Sequence, residues 1–64
     1  MKVVYVVVKV NYDYEELEWI EVCKSFQEVQ KVLRQEGIKG VKKDDMAIEG
    51  KEESVVYYIE EVGI

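Results

Sequence analysis

The segment Lys2–Tyr12 constrains the fold most strongly, because valine and tyrosine dominate it. Beta-branched and aromatic side chains fit a pleated strand and lose rotamer freedom in a helix. Alternate residues of a strand project to opposite faces, and both faces of this segment are apolar as far as Val7. Such a pattern is typical of a strand that is covered on both sides. We therefore predict a central β-strand here.

The chain has 64 residues, so we expect one domain over residues 1–64. A domain of this size buries about 60% of the surface of its unfolded chain, and it commonly needs a disulfide, a metal or a partner subunit. The single Cys23 excludes an internal disulfide, and the chain has no histidine to serve as a zinc ligand. We therefore predict no metal site, no cofactor and a homodimer.

Composition narrows the function classes. Hydrophobic residues make up 48% of the chain, which excludes a solvated coil. The net charge of -5 makes nucleic-acid binding unfavourable, because phosphate binding needs a positive surface. The sequence has no run of about 18 apolar residues, so no membrane span is expected. A lone cysteine is typical of a reducing compartment, which favours the cytoplasm.

Two interpretations of Leu17–Lys24 compete. In one, Asp13 caps a single long helix over Tyr14–Glu36, which gives the order β-long α-β-β. In the other, Asp13–Glu16 is a hairpin loop and Leu17–Lys24 is a second strand. A capping-box pattern that begins at Ser25 favours the strand, because it marks a separate helix start just after this segment.

The segment Ser25–Glu36 has the pattern of an amphipathic helix. Ser25 is followed three residues later by Glu28, as in a capping box, and Gly37 is suited to the helix end. The apolar stripe recurs at helical spacing. It consists of Phe26, Val29, Val32 and Leu33.

The remaining segments complete an α+β fold. Gly37–Asp45 is predicted to be a loop, Met46–Glu49 a short strand, Gly50–Glu53 a turn and Ser54–Val62 the last strand. The order is β-β-α-(β)-β. We predict a small antiparallel sheet of three to four strands with one helix packed on one face.

This arrangement resembles a group of small bacterial and phage proteins of unknown function. The similarity lies in Val3–Val8, in Ile20–Val29 and in the ending Tyr57–Val62. The sequence differs from the group at Cys23, where those proteins often carry Phe, and at Val29, where they favour Ala. The resemblance implies an accessory protein of the phage-encoded kind, and it transfers no catalytic residues.

The sequence gives little support for a catalytic site. A nucleophile needs a base within hydrogen-bond reach, but Cys23 has no histidine to serve it and lies in an apolar run. Acidic pairs such as Glu15–Glu16 and Asp44–Asp45 are more typical of solvated charge than of acid–base catalysis. We therefore predict that the protein is not an enzyme.

Self-association is predicted from the apolar character of both faces of the sheet. One short helix covers only one face of a small sheet, and a large bare apolar patch marks an interaction site. Trp19 is a further candidate, because it combines apolar area with an N–H donor. The residues predicted for a dimer or partner interface are Val3, Tyr5, Val7, Trp19, Tyr57 and Tyr58.

Charge clusters suggest two further surfaces. An acidic edge that could face a basic partner consists of Asp13, Glu15, Glu16, Glu18 and Glu21. A basic loop consists of Lys39, Lys42 and Lys43. With Tyr57 and Tyr58, this loop could line an inter-subunit pocket for a small ligand or nucleotide, or contact nucleic acid weakly.

The favoured function is a non-enzymatic, dimeric protein-interaction protein. Its concrete form would be a phage-encoded inhibitor that binds a host enzyme, either a nucleic-acid-processing protein or a defence protein. A small-ligand or nucleotide binder and a weak nucleic-acid-binding accessory protein are the alternatives.

Overall fold

The computed structural model describes residues 2–52 and 54–64, so Met1 and Glu53 of the predicted turn lie outside the described residues. Within them the chain forms four strands and one helix in the order β-β-α-β-β, which confirms the predicted α+β class. The long-helix alternative is wrong, because residues 16–23 form a strand. The elements are β1 Val3–Asn11, β2 Glu16–Cys23, α1 Phe26–Gln35, β3 Ala47–Glu49 and β4 Val55–Gly63.

The strands form one antiparallel sheet in the order β2-β1-β4-β3. β1 lies inside the sheet, as its valine-rich sequence predicts: it pairs with β4 along its whole length and with β2 from Tyr5 to Asn11. The prediction that both faces of β1 are covered is wrong within the single described chain. The helix covers one face, and the described residues place no layer on the other.

A tight loop joins β1 to β2. The Asn11 side-chain oxygen accepts a hydrogen bond from the Asp13 N–H at 3.0 Å, which is the bond of an Asx turn. Glu15 has φ 49°, in the left-handed region that non-glycine residues rarely adopt. The predicted hairpin loop is therefore confirmed, and it returns the acidic segment alongside β1.

The N-terminus of α1 is capped by side chains on both sides of the bend. The Ser25 hydroxyl accepts a hydrogen bond from the Glu28 N–H at 3.3 Å, as the capping-box pattern predicts. The Glu28 carboxylate accepts from the Lys24 N–H at 2.8 Å, one residue before the position that a standard capping box uses. Both bonds hold the two-residue connection between β2 and α1.

The helix ends at the predicted glycine. Gly37 has φ +86°, and its N–H donates to the Arg34 carbonyl at 2.9 Å. The Ile38 N–H donates to the Leu33 carbonyl at 2.9 Å, which completes a Schellman motif. The motif turns Ile38 back against the core.

The core lies between α1 and the sheet face that the helix covers. Val29 and Leu33 of the helix are fully buried against Val7 of the central strand. The ring of Phe26 packs edge-on against Tyr5, with 5.7 Å between centroids. The buried apolar residues are Tyr5, Val7, Cys23, Val29, Leu33, Val41, Val55, Tyr57 and Ile59.

Candidate interaction surfaces

The sheet has a covered face, against α1, and an open face, which points away from it. Strand alternation separates the two predicted tyrosines of β4 between these faces. Tyr57 is 3% exposed on the covered face, whereas Tyr58 is 38% exposed on the open face. The two residues therefore contribute to different surfaces.

The predicted bare patch is wrong for three of its residues. Tyr5, Val7 and Tyr57 are buried under the helix. Val3 and Trp19 are half-buried and pack against the same core, so of the predicted interface residues Tyr58 is the one that lies on the open face.

The short connection after β2 explains which face the helix covers. Only residues 24–25 separate β2 from α1, so Cys23 at the end of β2 points toward the helix and is buried. Cys23 pairs with Tyr5, so the two side chains lie on the same face of the sheet. The other odd-numbered residues of β1 share that face with Tyr5. Alternation then assigns these residues to the covered face.

The open face is apolar on β1, β2 and β4 except at Glu60, which pairs with Val6. Val8 of β1 lies between Ile20 of β2 and Tyr58 of β4, and Val10 lies between Leu17 and Val56 in the next row. A signal for this face was present in the sequence: Lys9 and Asn11 interrupt the odd-numbered side of β1, whereas the even-numbered side stays apolar. The apolar residues of the open face are Val4, Val6, Val8, Val10, Leu17, Ile20, Val22, Ala47, Val56, Tyr58 and Val62.

Polar groups lie at the rim of the open face. The hydroxyls of Tyr12 and Tyr58 share a hydrogen bond, and this bond raises the pKa of Tyr58. Glu49 lies on the short edge strand β3, and Glu60 lies on β4 beyond the end of β3. The centre of the face, around Val8, is free of charged side chains among the described residues.

A polar network closes one end of the covered face. The Lys9 ammonium lies 3.0 Å from the Glu36 carboxylate and 3.6 Å from that of Glu18. The Tyr57 hydroxyl donates to the same Glu36 oxygen at 2.9 Å. The Lys9 ammonium also lies 5.7 Å from the centre of the Tyr57 ring, a cation–π distance.

The network shifts the pKa values of its members. The hydrogen bond to Glu36 raises the pKa of Lys9, and the bonds from Lys9 and then Tyr57 lower the pKa of Glu36. Burial, followed by the bond to Glu36, raises the pKa of Tyr57. Each group is held in its ordinary protonation state at neutral pH, which is typical of a structural ion pair rather than of an acid–base catalyst.

The predicted acidic edge is an edge strand with a loop at one end. Within residues 2–52 and 54–64, β2 pairs with β1 alone, so its other side is open. Asp13 and Glu15 lie in the hairpin loop, and Glu16, Glu18 and Glu21 lie on β2, all exposed.

A bulge divides the side chains of β2. Lys9 pairs with Trp19 and Val10 pairs with Leu17, so Glu18 is the extra residue. The carboxylate of Glu18 reaches Lys9 on the covered side of the strand.

A groove follows β2 on the covered side. It lies between the strand and α1 and has a volume of about 280 Å³. The Trp19 ring forms part of its wall and packs against Tyr57, with 6.0 Å between ring centroids. Its lining residues are Trp19, Glu21, Val32, Gln35 and Glu36.

The basic loop is not brought to the tyrosines of β4. The cavity that Tyr57 lines contains Lys9 and Lys51 in place of Lys39, Lys42 or Lys43. Lys43 lines a separate cavity of about 230 Å³ together with Asp44, Asp45 and Glu61 as well as apolar residues. A single chain therefore lacks the predicted grouping of lysines with Tyr57 and Tyr58.

The thiol of Cys23 is part of the core. The side chain is almost fully buried beneath α1. Burial raises the pKa of the Cys23 thiol, and the negative charges of Glu28 and Glu21 raise it further. The thiol is therefore protonated at neutral pH and packs as a small apolar side chain.

Among residues 2–52 and 54–64, no group of three Cys, Asp or Glu side chains is arranged to hold a metal ion. No helix of the described chain has the length and apolar content needed to cross a membrane. No family model matches the sequence, and neither a curated protein nor a solved structure is significantly similar to it. The resemblance to small bacterial and phage proteins stays a prediction.

Proposed function

We propose that this chain is a non-enzymatic protein-interaction protein that works as a homodimer, in which the open faces of two copies pack together. The observation that carries the proposal is the apolar open face, centred on Val8 and flanked by Ile20 and Tyr58. A solvated sheet face has polar residues at alternate positions, whereas over β2, β1 and β4 of the described chain this face carries one charged residue, Glu60, opposite Val6.

The size of the open face supports a second copy as the occupant. A strand of nine residues is about 30 Å long and four strands are about 19 Å wide, so the face covers roughly 500 Å² in projection. Two copies would then bury about 1,000 Å² or more, the area at which specific interfaces begin. A single chain of 64 residues also gains most from a partner that doubles its small core.

The arrangement of polar groups supports the same pairing. Two sheets pack about 10 Å apart with their inner side chains interdigitated, and a two-fold axis places identical patches against each other. Glu49 and Glu60 lie at the rim, where protein interfaces are polar and solvated. The dimer would thus be a sandwich with one helix on each outer surface.

Packing by the open faces leaves the outer backbone edge of β2, its acidic side chains on the covered side and the acidic loop accessible for a foreign partner. An inhibitor that binds a host enzyme or defence protein, as phages encode, is the form of this function that we propose. The acidic residues of the chain support this form, and the predicted resemblance to small phage proteins implies it. The protein would bind its partner without catalysing a reaction, because the network around Glu36 has the bonds of a structural ion pair.

A pair of lysine substitutions tests the dimer. Tyr58→Lys places a charge on the open face, whereas Met46→Lys places one at a 71% exposed residue opposite Ile59, on the covered side. Sedimentation equilibrium should show a dimer for the wild type and for Met46→Lys. Tyr58→Lys should raise the dissociation constant at least tenfold, because a charge in an apolar interface is costly.

Circular dichroism establishes that both variants keep the fold. Equal dissociation constants for folded Tyr58→Lys and Met46→Lys would overturn the open face as the dimer interface. Val22→Lys is a second variant on the open face, at a residue that is 62% exposed and therefore tolerant of a longer side chain.

A further inference from the structure

We propose that the free edge of β2 binds an extended peptide in which basic and apolar side chains alternate, by adding it to the sheet as a fifth strand. The inference rests on the proposed function, since it names the chemistry of the foreign partner. It uses the backbone edge of β2 and the groove on the covered side, and it shares Ile20 and Val22 with the open face, so separate variants test the two proposals.

The backbone of β2 provides the hydrogen-bonding groups. The strand spans Glu16–Cys23, and within the described residues only one of its sides is paired. In an antiparallel pair, alternate residues direct both N–H and C=O away from the neighbouring strand. These groups form a template for an added strand, which is a common mode of peptide recognition.

The side chains of β2 determine what the added strand must carry. On the covered side the edge presents the carboxylates of Glu18 and Glu21. On the open side it presents the apolar side chains of Ile20 and Val22. A strand alternates its side chains in the same way, so its best complement is basic on one side and apolar on the other.

The groove beside β2 offers room for the basic side chains. It is about 280 Å³ in volume, and Glu21 and Glu36 are among its lining residues, the carboxylate of Glu36 being also bonded to Lys9 and Tyr57. The half-buried ring of Trp19 forms its wall, where a lysine stem or an arginine plane can stack. An arginine or lysine of the added strand would therefore meet both charge and an aromatic surface.

A second copy is a poor occupant of this edge. Two β2 strands related by a two-fold axis would bring the acidic residues of one copy against those of the other, which is unfavourable. The opposite edge of the sheet, β3, is only three residues long and offers a short template. The charge pattern thus favours a basic partner on β2.

A synthetic peptide tests the proposal directly. The probe is a capped peptide of about eight residues that alternates lysine and valine, matched in length to β2. Trp19 is the single tryptophan of the chain, so its fluorescence reports binding in the groove without a label. We expect saturable binding of this peptide. A control peptide of the same composition, with all lysines before all valines, should bind at least tenfold more weakly.

Two charge-reversed variants locate the site. Glu21→Lys should weaken binding at least tenfold, because it removes a carboxylate from the groove and adds a like charge. Glu61→Lys makes the same change on the neighbouring strand pair, where Glu61 lies opposite Tyr5, and should leave the affinity within about twofold. Equal losses in the two variants, or equal binding of both peptides, would overturn the site.

Amide exchange distinguishes strand addition from simple charge attraction. Saturating peptide should slow exchange of alternate amides within Glu16–Cys23, because their N–H groups become bonded to the added strand. Binding with no new protection on β2 would overturn strand addition. The experiment is repeated on Tyr58→Lys, which should be monomeric. If this monomer still binds the peptide, the peptide site on β2 does not depend on the dimer, so a failure of the dimer proposal would leave the peptide site standing.

Discussion

Tyr57 and Tyr58 are adjacent on β4, and their side chains lie on opposite faces of the sheet. Tyr57 is buried beneath the helix and bonded to Glu36, whereas Tyr58 is exposed and bonded to Tyr12. The helix thus covers one face of the sheet. The other face is apolar, and we propose that a second copy of the chain packs against it.

The bond between Lys9 and Glu36 should make stability depend on pH. The folded pKa of Glu36 lies below its unfolded value, so the bond contributes fully above the unfolded pKa of about 4.3. This contribution is lost as pH falls through the folded pKa. Glu36→Gln should lower the free energy of unfolding by about 1 kcal/mol at pH 7, with the difference from wild type shrinking below pH 4.

Urea unfolding at several pH values measures this difference. Glu52→Gln, which removes an exposed carboxylate, is the control and should change stability by less than about 0.5 kcal/mol. A pH-independent difference between wild type and Glu36→Gln would contradict the role given to the ion pair.

Leu33 should be the most sensitive helix residue. It is fully buried beside Val29 and Val7, so Leu33→Ala leaves a cavity in a small core and should cost about 2–5 kcal/mol. Arg34→Ala on the exposed side of the same helix should change stability by less than about 0.5 kcal/mol. Denaturant unfolding at one fixed protein concentration compares them, because dimerisation would couple stability to concentration. Similar losses would contradict the assigned helix face.

Cys23 should react slowly with iodoacetamide in the folded protein. Its thiol is buried and its pKa is raised, so alkylation should require opening of the structure and should accelerate with urea along the unfolding transition. The control combines Cys23→Ser with Met46→Cys, which moves the thiol to an exposed position and should label at the rate of a free thiol. Rapid alkylation of wild-type Cys23 without denaturant would show that β2 and α1 separate readily.

Salt should weaken peptide binding to β2 without weakening the dimer. Each chain carries a net charge of -5, so about 0.5 M NaCl should screen repulsion between copies and preserve or strengthen a dimer held by apolar contacts. The same salt should weaken binding of the lysine–valine peptide to β2. Titrations at low and high salt measure both constants. Dissociation of the dimer by salt would indicate an interface made of ion pairs.

The architecture was predictable because local signals agreed with one another. The valines of β1, the cap at Ser25 and the glycine at position 37 each marked an element or a boundary, and all three are confirmed. The choice between strand and helix before Ser25 also followed from the cap. These signals act over a few residues, so a sequence displays them directly.

The choice of covered face was not predictable from apolar content, because both faces of β1 contain valine. The covered face depends on the two-residue connection after Cys23, because this connection directs the Cys23 side chain toward the helix. Tyr5 pairs with Cys23 and therefore lies on the same face. The network of Lys9, Glu36 and Tyr57 was also missed, since its members are far apart in sequence. Long-range pairing of this kind becomes visible only when the strands are aligned.

The solution mass of the wild-type chain, measured by light scattering over a concentration series, tests the proposed homodimer most directly. A homodimer should have a mass twice the 7.5 kDa of one chain, falling toward 7.5 kDa on dilution below the dissociation constant. A constant mass of 7.5 kDa up to the highest soluble concentration would contradict the pairing of two open faces.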